Sequence, residues 1–150
     1  MRVFETYQEG KDALIKYIKE NKKDKSPLII AIGSSQQHAG KTTLSKDLIE
    51  TLYKDGIIIR GTTDYDNPTM YENNGFYDSD VFIIDVGVTN FPQAMCKEFL
   101  NGFTKKAVGR KIDLNVCIND IIYKTIGDQN NKEIINVYDF YIFNEKAKSK

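Results

Sequence analysis

The sequence predicts a layered α/β fold built on a mostly parallel sheet of about five strands. Three observations predict it. Short continuous apolar runs recur at residues 28–32, 57–59 and 81–84, as expected of strands buried on both faces. Between them, apolar residues repeat every three or four positions, the spacing of amphipathic helices. The chain is 150 residues long, with 41% apolar and 28% charged residues. That is the size and composition of one ordinary globular domain.

Phe4, Tyr7, Leu14, Ile15 and Ile18 share one helical face and predict an extra N-terminal helix within residues 1–26. Residues 21–27 (Asn-Lys-Lys-Asp-Lys-Ser-Pro) end it, and Pro27 biases Ser26 towards an extended backbone. The first core strand is Leu-Ile-Ile-Ala-Ile, residues 28–32. Leu44, Leu48 and Leu52 mark a second helix that stops near Gly56. A strand at 57–59 leads into a polar loop, residues 61–80, with turn signals at Asn67-Pro68 and Asn73-Asn74-Gly75. Residues 81–84 form the third strand. Phe91, Met95, Phe99 and Phe103 recur every four residues and give a third helix, whose aromatic face suits either the core or a homodimer contact. Strands are predicted at 112–118 and 134–143, with a short helix at 119–126 between them. Residues 144–150 read as a polar tail, which leaves 27–143 as the core of a single domain.

Lys and Arg together number 21, equal to Asp and Glu, so no global positive field attracts nucleic acid or an anionic membrane. Only three residues are arginine: Arg2, Arg60 and Arg110. Cys96, Cys117 and the sole histidine, His38, do not form a zinc-ligand pattern. The first eleven residues lack the apolar stretch of a signal peptide, and every apolar run is too short to span a bilayer. A soluble cytoplasmic protein is the expectation.

The segment richest in chemistry is Gly33-Ser34-Ser35-Gln36-Gln37-His38-Ala39-Gly40-Lys41-Thr42-Thr43, set between a buried strand and a helix. In that position backbone N–H groups at the helix start point towards an anion, and the helix dipole adds to the attraction. Gly40 permits close backbone approach, Lys41 can reach β and γ phosphates, and the Thr42 hydroxyl can ligate Mg²⁺. The full phosphate-loop pattern asks for glycine at 35, where this chain has Ser35. Asp85, at the carboxyl end of the third strand, sits where ligands of open α/β sheets bind.

Residues 29–44 resemble the Walker A segment of P-loop NTPases, and Val81-Phe82-Ile83-Ile84-Asp85 resembles their Walker B strand. The resemblance implies a three-layer P-loop fold that binds ATP, or GTP, with Mg²⁺. Lys41 would neutralise phosphate charge, and Thr42 and Asp85 would hold the metal. Ser35, His38, Ala39, Gly40, Lys41, Thr42 and Thr43 would line the phosphates. The chain is most similar to small nucleoside and nucleotide kinases of the uridine-kinase type. Asp64, after the second strand, would be the acceptor-side base, with Asp66 an alternative and Tyr65 a platform for a flat substrate. Yet residues 119–133 contain no arginine where such kinases carry lid arginines.

Asp64-Tyr65-Asp66-Asn67-Pro68 also resembles a stretch of the MinD/ParA switch ATPases, in which Asn119 would touch the base. The lysine that marks their Walker A segment falls here at Gln36. A nucleotide-binding domain without catalysis is a third alternative, suited by Ser35 and the missing arginines.

Overall fold

The computed structural model describes residues 2–24, 26–34, 39–88, 97–120 and 138–144. Within them the chain forms β1 (Arg2–Phe4), α1 (Tyr7–Asn21), β2 (Leu28–Ser34), α2 (Lys41–Tyr53), β3 (Ile59–Thr62) and α3 (Thr69–Asn73). A 3₁₀ turn at Phe76–Asp78 precedes β4 (Val81–Val88), α4 (Lys97–Val108), β5 (Leu114–Asp120) and β6 (Phe140–Asn144). The six strands make one sheet in the order β1-β6-β5-β2-β4-β3, and every pairing is parallel.

Alternate residues of the central strand enter different cores. Leu28, Ile30 and Ile32 pack with Leu14 and Ile18 of α1 and with Leu44, Leu48 and Leu52 of α2. Ile29 and Ala31 face the other way, towards Tyr71 of α3, Phe76 and Leu100 of α4. Helices therefore cover both faces, which is why the strands read as unbroken apolar runs. Leu48 is fully buried on the helix that follows the glycine turn. Leu48→Ala is expected to cost about 2–5 kcal/mol, the usual range for an interior leucine truncation. A urea titration that returned the wild-type midpoint would refute this packing of α2.

The sheet has six strands where about five are expected, and the sixth is β1. Phe4 fits the helical spacing of the N-terminal segment, yet it belongs to a strand beside β6. The cause is Thr6. Its backbone is extended (φ −132°, ψ 156°), and its hydroxyl accepts the Glu9 N–H at 3.2 Å, so the helix starts only at Tyr7. Phe4 instead packs edge-on against Phe140, with ring centroids 5.1 Å apart. The second predicted strand is also shifted. Ile57 gives its N–H to the Leu52 carbonyl and Ile58 to the Asp80 carboxylate, so pairing begins at Ile59. The polar loop contains α3 and the 3₁₀ turn, closed by the Tyr71 hydroxyl donating to the Tyr65 carbonyl at 2.8 Å.

Asn119 and Asp120 continue β5 rather than starting a helix, and Asn144 belongs to β6 rather than to a tail. On α4, Leu100 and Thr104 are the buried residues, whereas Phe99 is 49% exposed. Phe103 sits between Phe99 and Tyr65, both edge-on at 5.3 Å. Phe91, Met95, residues 121–126 of the predicted short helix and 134–137 of the predicted last strand lie outside the described residues. Among the described residues no helix is long and apolar enough to cross a membrane.

Candidate functional site

Because all six strands run parallel, their carboxyl ends share one edge of the sheet. Ser34, Thr62, Asp85, Asn119, Asp120 and Asn144 lie at or near those ends. The chain leaves β2 at Ser34 and enters α2 at Lys41. Ser35 and His38, with Gln36 and Gln37, lie outside the described residues.

Gly40 caps the helix in the left-handed region, at φ 109° and ψ 13°. No side chain caps α2 and no acidic residue sits in its first turn. Among the described residues no side chain takes up the first N–H groups of α2, and the dipole there favours negative charge. Asn144, at the end of β6, donates its side-chain N–H to the Ala39 carbonyl at 3.0 Å. A Cβ at position 40 would come within 2.6 Å of the same Asn144 nitrogen. The glycine is required twice over, by its backbone and by its neighbour.

Lys41 Nζ meets Asp85 Oδ1 at 2.6 Å. Two features of the sheet allow this. β2 and β4 are direct neighbours, with Ile32 opposite Asp85. The register then slips, so that Gly33 pairs with Gly87 and Val86 is the extra residue. Such a bulge re-aims the side chains beside it. Gly87, at φ 84°, turns its N–H onto Asp85 Oδ1 at 3.0 Å. The carboxylate is thereby held by one ammonium and one backbone donor, and it remains 39% exposed. Among the described residues no group of three or more His, Cys, Asp and Glu could hold a metal. A single exposed carboxylate still suits Mg²⁺, which binds through one or two carboxylates together with phosphate oxygens. Thr42 and Thr43 are exposed on the first turn of α2.

The sequence-predicted acceptor base is not drawn into this cluster. Asp64 is exposed, and its backbone N–H donates to the Thr62 hydroxyl at 3.0 Å. Tyr65 is half-buried against Phe103 rather than presented as a platform. Asn119 is fully buried and donates to the Tyr141 hydroxyl at 2.7 Å, so its amide is engaged inside the sheet.

Sequence reasoning missed three participants. Asn144 gave no local signal, since its partner lies 105 residues away. Arg60 belongs to no motif in the sequence. The third is a cleft of about 480 Å³ between α2 and the edge strand β3. Ile49, Ile59 and Ile83 supply its apolar surface, while Arg60, Thr63 and Asp85 are among its polar lining. Asp85 therefore belongs both to the lysine pair and to the cleft wall.

Below this edge, at β5 and β6, lies a buried cluster of Cys117, Tyr138, Tyr141 and Phe143. Burial pushes the Cys117 thiol up from 9.0 to about 12, against a smaller opposing pull from hydrogen bonds with Tyr138 and Tyr141. Burial also raises the Tyr138 hydroxyl. Both groups hold their protons more tightly folded than unfolded. Their contribution to stability is complete below pH 9 and declines as the pH rises towards 12. The urea midpoint is expected to hold steady between pH 7 and 8.5 and to fall between pH 9 and 11. A flat profile across that range would contradict the burial of this cluster.

No family model matches the sequence, and comparison with curated proteins and with solved structures likewise finds no match.

Proposed function

We propose that the chain is a Mg²⁺-dependent, ATP-binding protein of the three-layer P-loop type that transfers the γ-phosphoryl group to a small acceptor. One observation carries the reading. A lysine opens a helix directly after a left-handed glycine and pairs at 2.6 Å with an aspartate on the adjacent parallel strand, which runs on past the expected end at residue 84 to Val88. A solvated surface pair needs neither the glycine turn nor the bulge that aims Asp85. Both serve to position the pair, and catalysis of phosphoryl transfer is mostly positioning and charge stabilisation.

In this reading ATP phosphates lie along the first turn of α2, against the N–H groups of residues 39–43. Lys41 exchanges part of its pairing with Asp85 for phosphate oxygens. Asp85 and Thr42 are the residues to hold Mg²⁺, which supplies charge neutralisation on the β and γ phosphates when bound. The acceptor oxygen bonds to the γ-phosphorus while the bond to the β–γ bridging oxygen breaks. ADP leaves with that electron pair, and the acceptor proton passes to Asp64, one residue beyond the cleft wall. GTP would serve equally well at the phosphates.

The cleft is what favours a small-molecule acceptor over a switch acting on a protein. Its volume of about 480 Å³ lies within the range of ordinary ligand pockets, and it abuts Asp85. The test is ADP release from Mg-ATP with and without a pool of nucleosides and nucleoside monophosphates. Release that needs the pool supports a kinase. Release that ignores the pool moves the assignment to a switch ATPase. Binding without release leaves a non-catalytic nucleotide domain.

A further inference from the structure

Three aspartates stand directly before apolar strands: Asp80 before β4, Asp113 before β5 and Asp139 before β6. Each grips one residue of the neighbouring chain segment twice. Asp80 donates its backbone N–H to the Ile58 carbonyl and accepts the Ile58 N–H on its carboxylate, both at 2.8 Å. Asp113 does the same with Ile29, and Asp139 with Asn115, again at 2.8 Å throughout. A longer strand would offer a backbone carbonyl to that N–H; here the carboxylate takes its place. Two of the aspartate carbonyls are used as well. Leu28 donates to Asp80 at 2.9 Å, and Arg2 to Asp139 at 2.8 Å. The three residues therefore contribute a bond to every pairing of the sheet: β3-β4, β4-β2, β2-β5, β5-β6 and β6-β1.

The count from these residues to the far edge is the same on all three strands. Five residues after Asp80 comes Asp85, which meets Lys41 at 2.6 Å. Five after Asp113 comes Ile118, whose Cδ1 lies 3.4 Å from where a Cβ on Gly40 would stand. Five after Asp139 comes Asn144, which donates to the Ala39 carbonyl at 3.0 Å. Leu28 to Ile32 pair in step with Val81 to Asp85, and Val116 to Asp120 with Phe140 to Asn144. The slip between β2 and β4 comes only beyond Asp85. Five residues of strand span about 16 Å. Sliding any of these strands by one residue would turn its site residue to the opposite face.

We propose that Asp80, Asp113 and Asp139 are positioning residues. By fixing where each strand begins, they fix where Asp85, Ile118 and Asn144 meet the turn at residues 39–41. The inference holds whatever that turn binds, so it goes beyond the phosphotransfer reading and does not rest on it. Asp113 and Asp139 also carry ion pairs, to Arg110 at 3.4 Å and to Lys97 at 2.7 Å. Asp80 and Asp139 suit a test best, because their strands reach the site with polar groups that give separate signals. These are the Gly87 N–H bonded to Asp85 and the side-chain N–H of Asn144.

The experiment is amide NMR and hydrogen exchange on the full ligand-free chain, with alanine and asparagine variants at 80 and at 139. Asp80→Ala should speed exchange of the Ile58 amide by about tenfold or more relative to the Leu48 amide, the loss of roughly one hydrogen bond to a charged acceptor. It should also move the Gly87 signal and leave that of the Asn144 side chain in place. Asp139→Ala should do the reverse, with the Asn115 amide exchanging faster. Asparagine keeps an acceptor oxygen and should restore both readouts at each position. At 139 it also removes the charge that pairs with Lys97, so rescue assigns the effect to the backbone bond. Unchanged exchange at Ile58 and Asn115 would overturn the proposal. So would faster exchange with unmoved site signals, which would leave the aspartates as strand ends only. Movement of both site signals by either variant, or failure of asparagine to restore them, would mean general loosening and would equally overturn it. If one alanine variant does not fold, the other decides. Nucleotide enters none of these readouts, so a failure of the phosphotransfer reading shows separately, as missing ADP release.

Discussion

Lys41→Ala is expected to lower ATP turnover by at least 10²-fold and to leave the fold intact. The two halves of this result have different physical origins. The Lys41–Asp85 pair is partly open to solvent, with side-chain exposures of 16% and 39%. Solvent screening limits such a pair to about 1 kcal/mol or less of folding stability. The melting temperature should therefore move by only a few degrees. The loss in rate is larger because a developing phosphate charge is met by a fixed ammonium. Removing one preorganised donor of that kind typically costs 10²–10³-fold. Circular dichroism, thermal melting and ADP release on the same preparation measure both. A variant with wild-type turnover would end the phosphate-loop assignment. A variant that unfolds would show that the lysine is structural.

Gly40→Ala should combine the second-largest loss of nucleotide affinity with a measurable loss of stability. At φ 109° the backbone is in a region that alanine adopts only at a cost of about 1–2 kcal/mol. The added Cβ would also lie 2.6 Å from the Asn144 amide nitrogen. Relief requires Asn144 to withdraw and break its bond to the Ala39 carbonyl, at a further cost of about 1 kcal/mol. ATP affinity should fall at least tenfold, because the turn that aims the first N–H groups of α2 is displaced. The collision is testable by itself. Asn144→Ala alone should weaken ATP binding modestly, and in combination with Gly40→Ala the losses should be less than additive. Strict additivity in a double-mutant cycle would mean that the two residues do not touch.

The parts of the fold that were legible are those fixed by local pattern. Residues 28–32 and 81–84 announce buried strands because both faces are covered by helices, so no polar alternation interrupts them. Lys41 and Asp85 were each legible as candidates, because one opens the helix after such an apolar run and the other follows such a run directly, but their ion pair depends on the sheet order and was not. What stayed hidden depends on partners remote in sequence. A three-residue strand at Arg2–Phe4 has no periodicity of its own, and Phe4 fits the helical stripe equally well until Thr6 ends it. Asn144 looks like any polar residue near a terminus until parallel pairing carries β6 to the loop. The cleft at Arg60 exists because α2 leaves the edge strand incompletely covered, which no spacing rule encodes.

The strand order has a consequence for the sequence of events during synthesis. β2 lies at the centre of the finished sheet, between β4 and β5. On an emerging chain, β3 and β4 follow it within 54 residues, so the half-sheet β3-β4-β2 can form early. The other half cannot. β1 is made before the other strands, yet its neighbour among the described residues is β6, so Arg2 must wait for Phe140. Until β5 is made β2 is an open edge, and until β6 is made β5 is one, each with apolar faces and unpaired backbone groups of the kind that invite pairing between chains. The Ala39 carbonyl receives its Asn144 partner only at the final step. A ribosome-stalled chain ending before residue 138 should therefore be prone to aggregate and, on the phosphotransfer reading, bind ATP poorly, whereas a chain carrying β6 closes its sheet and fixes the turn at Gly40 together.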